Sequence, residues 1–295
     1  MNLGLEKLLG LYETKEGVFI QHTDLSRSNP NFSISKCLNE LLESQRRKYD
    51  ESAMRGYLGE YCSRELISSY LLKNFGGVRE IDVISLNKNG YAIGSRGKRV
   101  LKASNDNNVV LIEKQNGRVD DKFGFRVISE VDGLFCVVSR EGRKRKKEFV
   151  IVESKTGSLG LNHKHIYHNI LKPYSQILQS PLHYVVLDFR DKLFNSRGRK
   201  ILKSERRNDF YSPLMQLIAQ DDSMNVSVGF FDFPFSKQEF TSEANRGLEI
   251  QEGNNIIKSG RIVERTGEVI FNLGGDVKRG LFISEDDPRY SSLIS

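Results

Sequence analysis

The sequence predicts an α/β fold of the α+β kind, a mixed central β-sheet with helices, in which a helix, several antiparallel strands, a second helix and a further strand succeed one another between residues 53 and 189. Three observations carry this. Leu58, Cys62 and Leu66 recur at four-residue spacing, and Ile67, Tyr70 and Leu71 broaden the stripe, as in a helix with one buried face. Phe149–Val152 is an apolar β-type run that ends abruptly in Glu153-Ser154-Lys155. Ile166, Tyr167, Ile170, Leu171, Tyr174, Ile177 and Leu178 keep helical spacing ahead of a second apolar run, His183–Phe189, which reads as a buried strand.

Taken in order, residues 1–52 read as an N-terminal helical addition. Asn2–Tyr12 is leucine-rich at helical spacing, Val18–Gln21 is extended, and Ser35 is placed to cap a helix running to Arg47. The helix over 53–75 ends at Gly76-Gly77. Val78–Leu86, Val109–Glu113, Phe123–Val131 and Leu134–Ser139 read as strands, with a polar, glycine-containing stretch between the first two. Gly142–Lys147 then forms the strongly basic connection of a hairpin whose second strand is Glu148–Lys155. A helix starting near Asn162 should kink or restart at Pro173. Residues 190–295 form a C-terminal extension rich in β-structure, either a separate domain or a continuation of the sheet. Its expected elements are a helix over Asp209–Gln220, a strand at Val226–Phe233, and a hairpin of Ile256–Glu264 with Glu268–Leu273.

Composition narrows the function classes. The hydrophobic fraction is 38%, with 17 Phe and 11 Tyr, enough for a sizeable core. No stretch approaches the ~20 apolar residues of a membrane span. The first residues lack a basic region followed by a long apolar run, so a secretory signal is not expected. Cys37, Cys62 and Cys136 have no CxxC spacing and are odd in number, which argues against a disulfide framework or a zinc module and for a reducing, cytoplasmic setting. The net charge of +7 is concentrated: Arg140–Lys147 contributes +5 and Arg190–Arg207 contributes +6, leaving the remainder at −4. Two basic patches on a mildly acidic background suit a polyanionic partner, although solvated loops share that composition.

Chemistry concentrates around one strand end. Side chains alternate along a strand, so Glu153 and Lys155 project to one side and Ser154 to the other, in line with Val150 and Val152. Unpaired charge is costly to bury, so a strand that ends this way needs a metal ion, a phosphate or a charge partner. Asp132 closes a neighbouring extended segment and is followed by Gly133, which permits close approach. Glu60 lies seven residues before Ile67 and eleven before Leu71, on the apolar side of its helix near the N-terminus, where an acid is also favoured by the helix dipole alone. Asp132 and Glu153 suit Mg²⁺, a hard cation that takes oxygen ligands while keeping waters and substrate phosphates. Lys155 is placed to orient a water, offset developing charge or, given a lowered pKa, act as a base.

With Gly59-Glu60 on an early helix, Glu130-Val131-Asp132-Gly133, and Val152-Glu153-Ser154-Lys155, the chain resembles the PD-(D/E)xK nuclease superfamily over roughly residues 53–189. The resemblance implies a restriction-endonuclease-like αβββαβ core. It implies Asp132 and Glu153 as metal ligands, joined by the carbonyl of Ser154, with Lys155 as catalytic lysine and Glu60 assisting metal or water. It further implies Mg²⁺ as cofactor, with Mn²⁺ substituting, and hydrolysis of DNA by an activated water to leave 5′-phosphate and 3′-hydroxyl ends. Restriction-type or structure-specific enzymes of this kind usually act as dimers, since two strands need two sites. Val131 stands where the family pattern has proline, and the helix after Lys155 lacks a clear Gln-x-x-x-Tyr pattern.

Arg143, Lys144, Arg145, Lys146 and Lys147 in one basic patch, and Arg197, Arg199, Lys200, Arg206 and Arg207 in the other, are the expected contacts to nucleic-acid phosphates, with DNA the expected partner and RNA left open. A rival register, Asp82 with Glu113 and Lys114, is weaker, because adjacent Glu113 and Lys114 face opposite sides. His163, His165 and His168 fall on the polar side of their helix and suit a solvated or phosphate-contacting face better than a metal site. A nuclease-like fold that binds nucleic acid without cleaving it is the alternative, and a protein–protein adaptor with solubilising basic loops is the third reading.

Overall fold

A computed structural model describes residues 12–14, 17–22, 51–75, 81–88, 92–104, 108–114, 124–155, 162–188, 213–232, 249–252, 255–258, 260–265 and 268–273. The fold is mixed α/β. Strands β1 (Tyr12–Thr14) and β2 (Gly17–His22) precede helix α1 (Glu51–Phe75). Strands β3 (Ile81–Ser85) to β9 follow: β4 (Ala92–Arg96), β5 (Arg99–Ala103), β6 (Val109–Lys114), β7 (Phe125–Val131), β8 (Gly133–Glu141) and β9 (Lys144–Lys155). A helical run of α2 (His163–His165), a π-helix (Ile166–Leu171) and α3 (Lys172–Leu178) leads to β10 (Leu182–Asp188). Helix α4 (213–219) leads to β11 (Val226–Asp232).

The central sheet has the order β3-β8-β9-β10-β11 and continues onto β2 and β1. Its β3-β8 and β8-β9 pairs are antiparallel, whereas β9-β10, β10-β11 and β11-β2 are parallel. Part of the N-terminal segment therefore belongs to the sheet: Val18–Gln21 is extended as expected, and Tyr12, expected to end a helix, lies in β1. A separate antiparallel sheet, β4-β5-β6-β7, is inserted between β3 and β8. The chain leaves the central sheet after β3, builds these four strands, and returns through a single bend residue, Asp132, that joins β7 to β8. The expected stripe of α1 is buried at Leu58, Cys62, Leu66, Ile67 and Leu71. Burying each large apolar side chain there contributes about 1.5–3 kcal/mol, and the helix packs on β9 and β3.

Three expectations change. The hairpin connection is not the whole basic stretch but Gly142-Arg143 alone, with Glu141 paired to Lys144, and Lys144–Lys147 are the first residues of β9. Gly142 at φ +60° supplies the left-handed first position of a two-residue turn whose twist matches that of its strands. The polar stretch after β3 holds β4 and β5, whose glycine and charged residues conceal the strand pattern. Toward the C-terminus, the expected strand Ile256–Glu264 is divided: β13 (Asn255–Lys258) pairs with β12 (Glu249–Glu252), while β14 (Gly260–Arg265) pairs with β15 (Glu268–Leu273). Strand β11 continues the central sheet.

At Pro173 the helical run continues without a break, its bonding changing from π to α at Lys172. The Lys172 N–H reaches back five residues to the Tyr167 carbonyl, and Pro173 sits in the first turn of α3. Its missing N–H would leave the Asn169 carbonyl without its α-helical donor. The Ser129 hydroxyl of β7 donates to that carbonyl at 2.7 Å. Tyr174 Oη likewise donates to the Val109 carbonyl at 3.2 Å, so the helical run is bolted to the inserted sheet. Between them lies one core, in which Leu111, Val131, Ile151, Tyr184 and Val186 meet Ile166, Ile170, Leu171, Tyr174 and Leu214.

Candidate functional site

The four acids and bases singled out in the sequence converge where β7 passes into β8 and β9 ends. Gly133 pairs with Val152, so Asp132 continues the register opposite Glu153. Ser154 N–H donates to Asp132 Oδ2 at 2.5 Å, which holds the carboxylate across the strand gap. Glu153 and Lys155 share a face, and Lys155 Nζ donates to Glu153 Oε1 at 2.5 Å, with the two side chains only 12% and 24% exposed. The other carboxylate oxygen, Glu153 Oε2, is buried and has no hydrogen-bond partner among the described residues. Glu60 faces this group from α1.

Three further residues complete the group. Buried Arg64, one turn after Glu60, donates through Nη1 to the main-chain carbonyl of Asp132 at 2.8 Å and to Asn108 Oδ1 at 2.8 Å. Its Nη2 is buried without a hydrogen-bond partner among the described residues, and its guanidinium lies 4.6 Å from the centre of the Tyr61 ring. Asn108, 4% exposed at the β5–β6 turn, donates to Glu130 Oε1 at 2.8 Å and Glu60 Oε2 at 3.3 Å. Asn87 donates to the same Asp132 carbonyl at 3.2 Å and accepts from Leu134 N–H at 2.9 Å, fixing the bend from the β3 side. A Cβ at Gly133 would come within 3.2 Å of Arg64 Cγ, so Arg64 would have to give by a few tenths of an ångström to accommodate it. None of Arg64, Asn108 or Asn87 carries a motif. The one available signal was the four-residue spacing of Glu60 and Arg64 on one helix face.

The electrostatics follow from crowding four carboxylates, Glu60, Glu130, Asp132 and Glu153, around two cations, Arg64 and Lys155. Burial first, then the charge of Asp132, pushes Glu60 up to about 8. The same two causes push Glu153 up to about 7, although Lys155 opposes them. Burial also raises Asp132 against the pull of Lys155 and the Ser154 N–H. For Lys155, burial favours the neutral amine, but Glu153, Asp132 and Glu60 outweigh it and hold its pKa above the ordinary lysine value. Lys155 is thus a charged donor to Glu153. The lowered pKa that a role as base requires is not found.

The donor set fits a hard divalent cation. An orphaned buried carboxylate oxygen, carboxyl groups that outnumber the cations beside them and all-oxygen donors suit such an ion, which would take the place of the protons. Among the described residues no three His, Cys, Asp or Glu side chains close around a common point. Mg²⁺ does not require such a cage, because it is usually held by one or two carboxylates with waters and phosphate oxygens completing its shell.

The remaining expected residues fall elsewhere. Arg143, Lys144, Arg145, Lys146 and Lys147 are exposed at the far end of β9, and Lys146 pairs with Glu148. Arg197, Arg199, Lys200, Arg206 and Arg207 lie outside the described residues. The rival acids are apart from the site: Asp82 is exposed and pairs with Arg140 at 3.4 Å, and Glu113 pairs with Arg99 at 3.6 Å. His165 and His168 are exposed, His165 meeting Asn169 at 2.8 Å and His168 lying edge-on to Tyr167.

A second buried polar group crosses the sheet at the opposite end. His183 Nδ1 meets Ser227 Oγ at 2.6 Å and Nε2 meets Glu148 Oε2 at 3.2 Å. Burial raises the Glu148 pKa, but the hydrogen bonds from His183 and Lys146 outweigh it and hold it below the ordinary value. The order hydroxyl–imidazole–carboxylate is that of a nucleophile relay, but Ser227 is 6% exposed within a strand and closed to a substrate. A cavity of about 480 Å³, lined by residues that include Arg96, Gln176, Gln179, Pro181 and Asn225, also lies at that end and contains none of the clustered acids.

Among the described residues no helix is long and apolar enough to cross a membrane. No protein-family model matches the chain, and no match was found among curated proteins or among solved structures.

Proposed function

We propose that this chain is a Mg²⁺-dependent nuclease that hydrolyses phosphodiester bonds of DNA, with Asp132 and Glu153 holding the metal, assisted by Glu60 and the Ser154 carbonyl. The observation that carries the reading is the convergence of Glu60, Asp132, Glu153 and Lys155 on one strand end, with Glu153 Oε2 buried and unpartnered among the described residues. Bound there, Mg²⁺ would offset charge on a phosphodiester and lower the pKa of a water. The chain's own residues do the rest. Ser154 N–H fixes the Asp132 carboxylate, Arg64 and Asn87 fix its main chain, and Asn108 spaces Glu60 from Glu130. Lys155, held protonated, is a donor to an attacking water or a phosphate oxygen rather than a base.

The order of α1, β3, β8, β9, the α2–α3 run and β10 supports a restriction-endonuclease-like core, with the four-stranded sheet as an insertion. In this reading the exposed basic end of β9 supplies attraction to a polyanion, and a homodimer would provide one site per strand of a duplex. Mg²⁺-dependent nicking or linearisation of plasmid DNA is the test. Abolition in Asp132→Ala and Glu153→Ala protein supports the reading, and retained cleavage in either variant overturns it.

One observation favours a second reading, a nucleic-acid-binding protein of the same fold without catalysis. The Lys155–Glu153 pair at 2.5 Å gives each side chain a partner within the chain itself, so the two charges have a structural role. That reading predicts salt-sensitive DNA or RNA binding with no cleavage in Mg²⁺ or Mn²⁺.

A further inference from the structure

The two halves of β9 do different things on one continuous strand. Its pairing with β8 runs without a break from Gly133–Val152 to Glu141–Lys144. Because side chains alternate, Arg145 and Lys147 project from the same face as Glu153 and Lys155. Phe149 and Ile151, between them on that face, are buried in the core beneath the α2–α3 run. Since β9 and β10 are parallel, that helical run returns from the acid site toward the basic end, and it carries Lys164 and His168 exposed to solvent. At about 3.3 Å per residue, Lys147 and Arg145 lie roughly 20 and 26 Å from Glu153 along the strand. Arg140 is engaged by Asp82 and Lys146 by Glu148, whereas Arg143, Lys144, Arg145 and Lys147 make no ion pair among the described residues.

We propose that the β8–β9 arm is a second, remote contact on the phosphodiester backbone of a duplex whose scissile bond lies at the Asp132–Glu153 site. The arm is too far away to touch the reacting phosphate. At about 3.4 Å per base pair, the separation is roughly 6–8 base pairs. The arm therefore measures substrate length: duplex must extend at least that far to one side of the cut to engage both points. This rests on the nuclease reading for the position of the cut, but the arm's contact is measured by binding alone.

The experiment uses the full chain with Ca²⁺ in place of Mg²⁺ and fluorescein-labelled blunt DNA duplexes of increasing length, read by anisotropy. Wild-type affinity should rise steeply once the duplex exceeds about 8 base pairs, then level off. A variant with Arg143→Gln, Lys144→Gln, Arg145→Gln and Lys147→Gln should lose that step. Its log–log salt slope on long duplexes should be shallower by about 3–4, one for each phosphate contact removed. The wild-type length series needs no variant, so a folding defect does not shelter the idea. A smooth length dependence in the wild type, or equal salt slopes in the two proteins, overturns it. Plasmid cleavage in Mg²⁺ separates the two claims: absent cleavage with the length step intact removes the nuclease chemistry and leaves the arm contact, and cleavage without the step does the reverse.

Discussion

Arg64 Nη1 donates to the main-chain carbonyl of Asp132 at 2.8 Å, tying the middle of α1 to the one residue at which the chain changes sheets. The same nitrogen reaches Asn108, which holds Glu60 and Glu130, so one buried guanidinium organises three of the four acids. Arg64→Met keeps the aliphatic stem and removes the cation. It should destabilise the protein at neutral pH by about 3–5 kcal/mol, the cost of leaving buried charge without its partner. Arg64→Lys should recover only part of this, because a single ammonium does not reproduce the guanidinium fork. Urea unfolding measures both, and a loss below about 1 kcal/mol for Arg64→Met at neutral pH would show that Arg64 is dispensable to the cluster.

Glu60 and Glu153 predict a pH signature. Their folded-state values, about 8 and about 7, lie above the ordinary 4.5, so the folded protein holds protons that the unfolded chain has released. The stability these groups contribute is fully present below 4.5 and is lost as pH rises through about 7 and then 8. A cation that replaces those protons should bind more tightly as pH rises. At about 100 times its dissociation constant it should stabilise the fold by about 2.7 kcal/mol. Thermal melts with and without Mg²⁺ at pH 6 and pH 8.5 test this; a larger Mg²⁺ shift at the lower pH contradicts it.

As a charged donor rather than a base, Lys155 leaves a distinct kinetic signature. Lys155→Met should reduce Mg²⁺-dependent cleavage by about 10²–10⁴-fold. The pH–rate profile of the wild type should then show no ascending limb that Lys155→Met abolishes, because Lys155 is already protonated across the working range. An ascending limb that disappears in the variant would return Lys155 to the role of base.

How much of this was legible follows from the range of each signal. Glu153 and Lys155 stood out because period-two alternation acts within three residues, and Glu60 because the apolar stripe of α1 fixes its face. Asp132 was marked by Gly133, whose missing Cβ makes room for Arg64. Asn108 had no local mark. It sits 48 residues from Glu60 in sequence, in a turn of an inserted sheet whose first two strands read as polar loop. The basic stretch reads as a connection because lysine and arginine suit loops, yet exposed strand residues tolerate long charged side chains equally well, and Gly142-Arg143 suffices to turn the chain. The π-helical segment was invisible for a further reason: its stabilisation includes a bond from Ser129 to Asn169, a tertiary contact that no helical period encodes.

Asn108 provides a sharper test of the acid cluster than removal of an acid. Asn108→Asp keeps the shape but replaces the amide that donates to Glu60 and Glu130 with a fifth carboxylate. It should cost about 1–3 kcal/mol at pH 8 by leaving those acceptors without their buried donor. The deficit should shrink toward pH 5, where Glu60 is protonated. Mg²⁺ should also reduce it. A deficit that is the same at both pH values and indifferent to Mg²⁺ would place Asn108 in packing rather than in the electrostatics of the site.

The buried ladder of Glu148, His183 and Ser227 should behave differently, because it belongs to the sheet and not to the site. His183 lies five residues before Asp188, the partner of Lys155, or roughly 17 Å along the strand from the acids. His183→Phe removes both polar contacts at once and leaves Ser227 Oγ and one Glu148 oxygen without their imidazole. The expected cost is about 1–3 kcal/mol of stability by urea unfolding. Below the melting transition, plasmid cleavage per folded molecule should equal that of the wild type, and the Mg²⁺ dependence should be unchanged. In the double variant with Ser227→Ala the losses should be less than additive, since the second change removes the hydroxyl that the first left unpaired. Additive losses would mean that the 2.6 Å contact between His183 and Ser227 contributes nothing to holding β10 against β11.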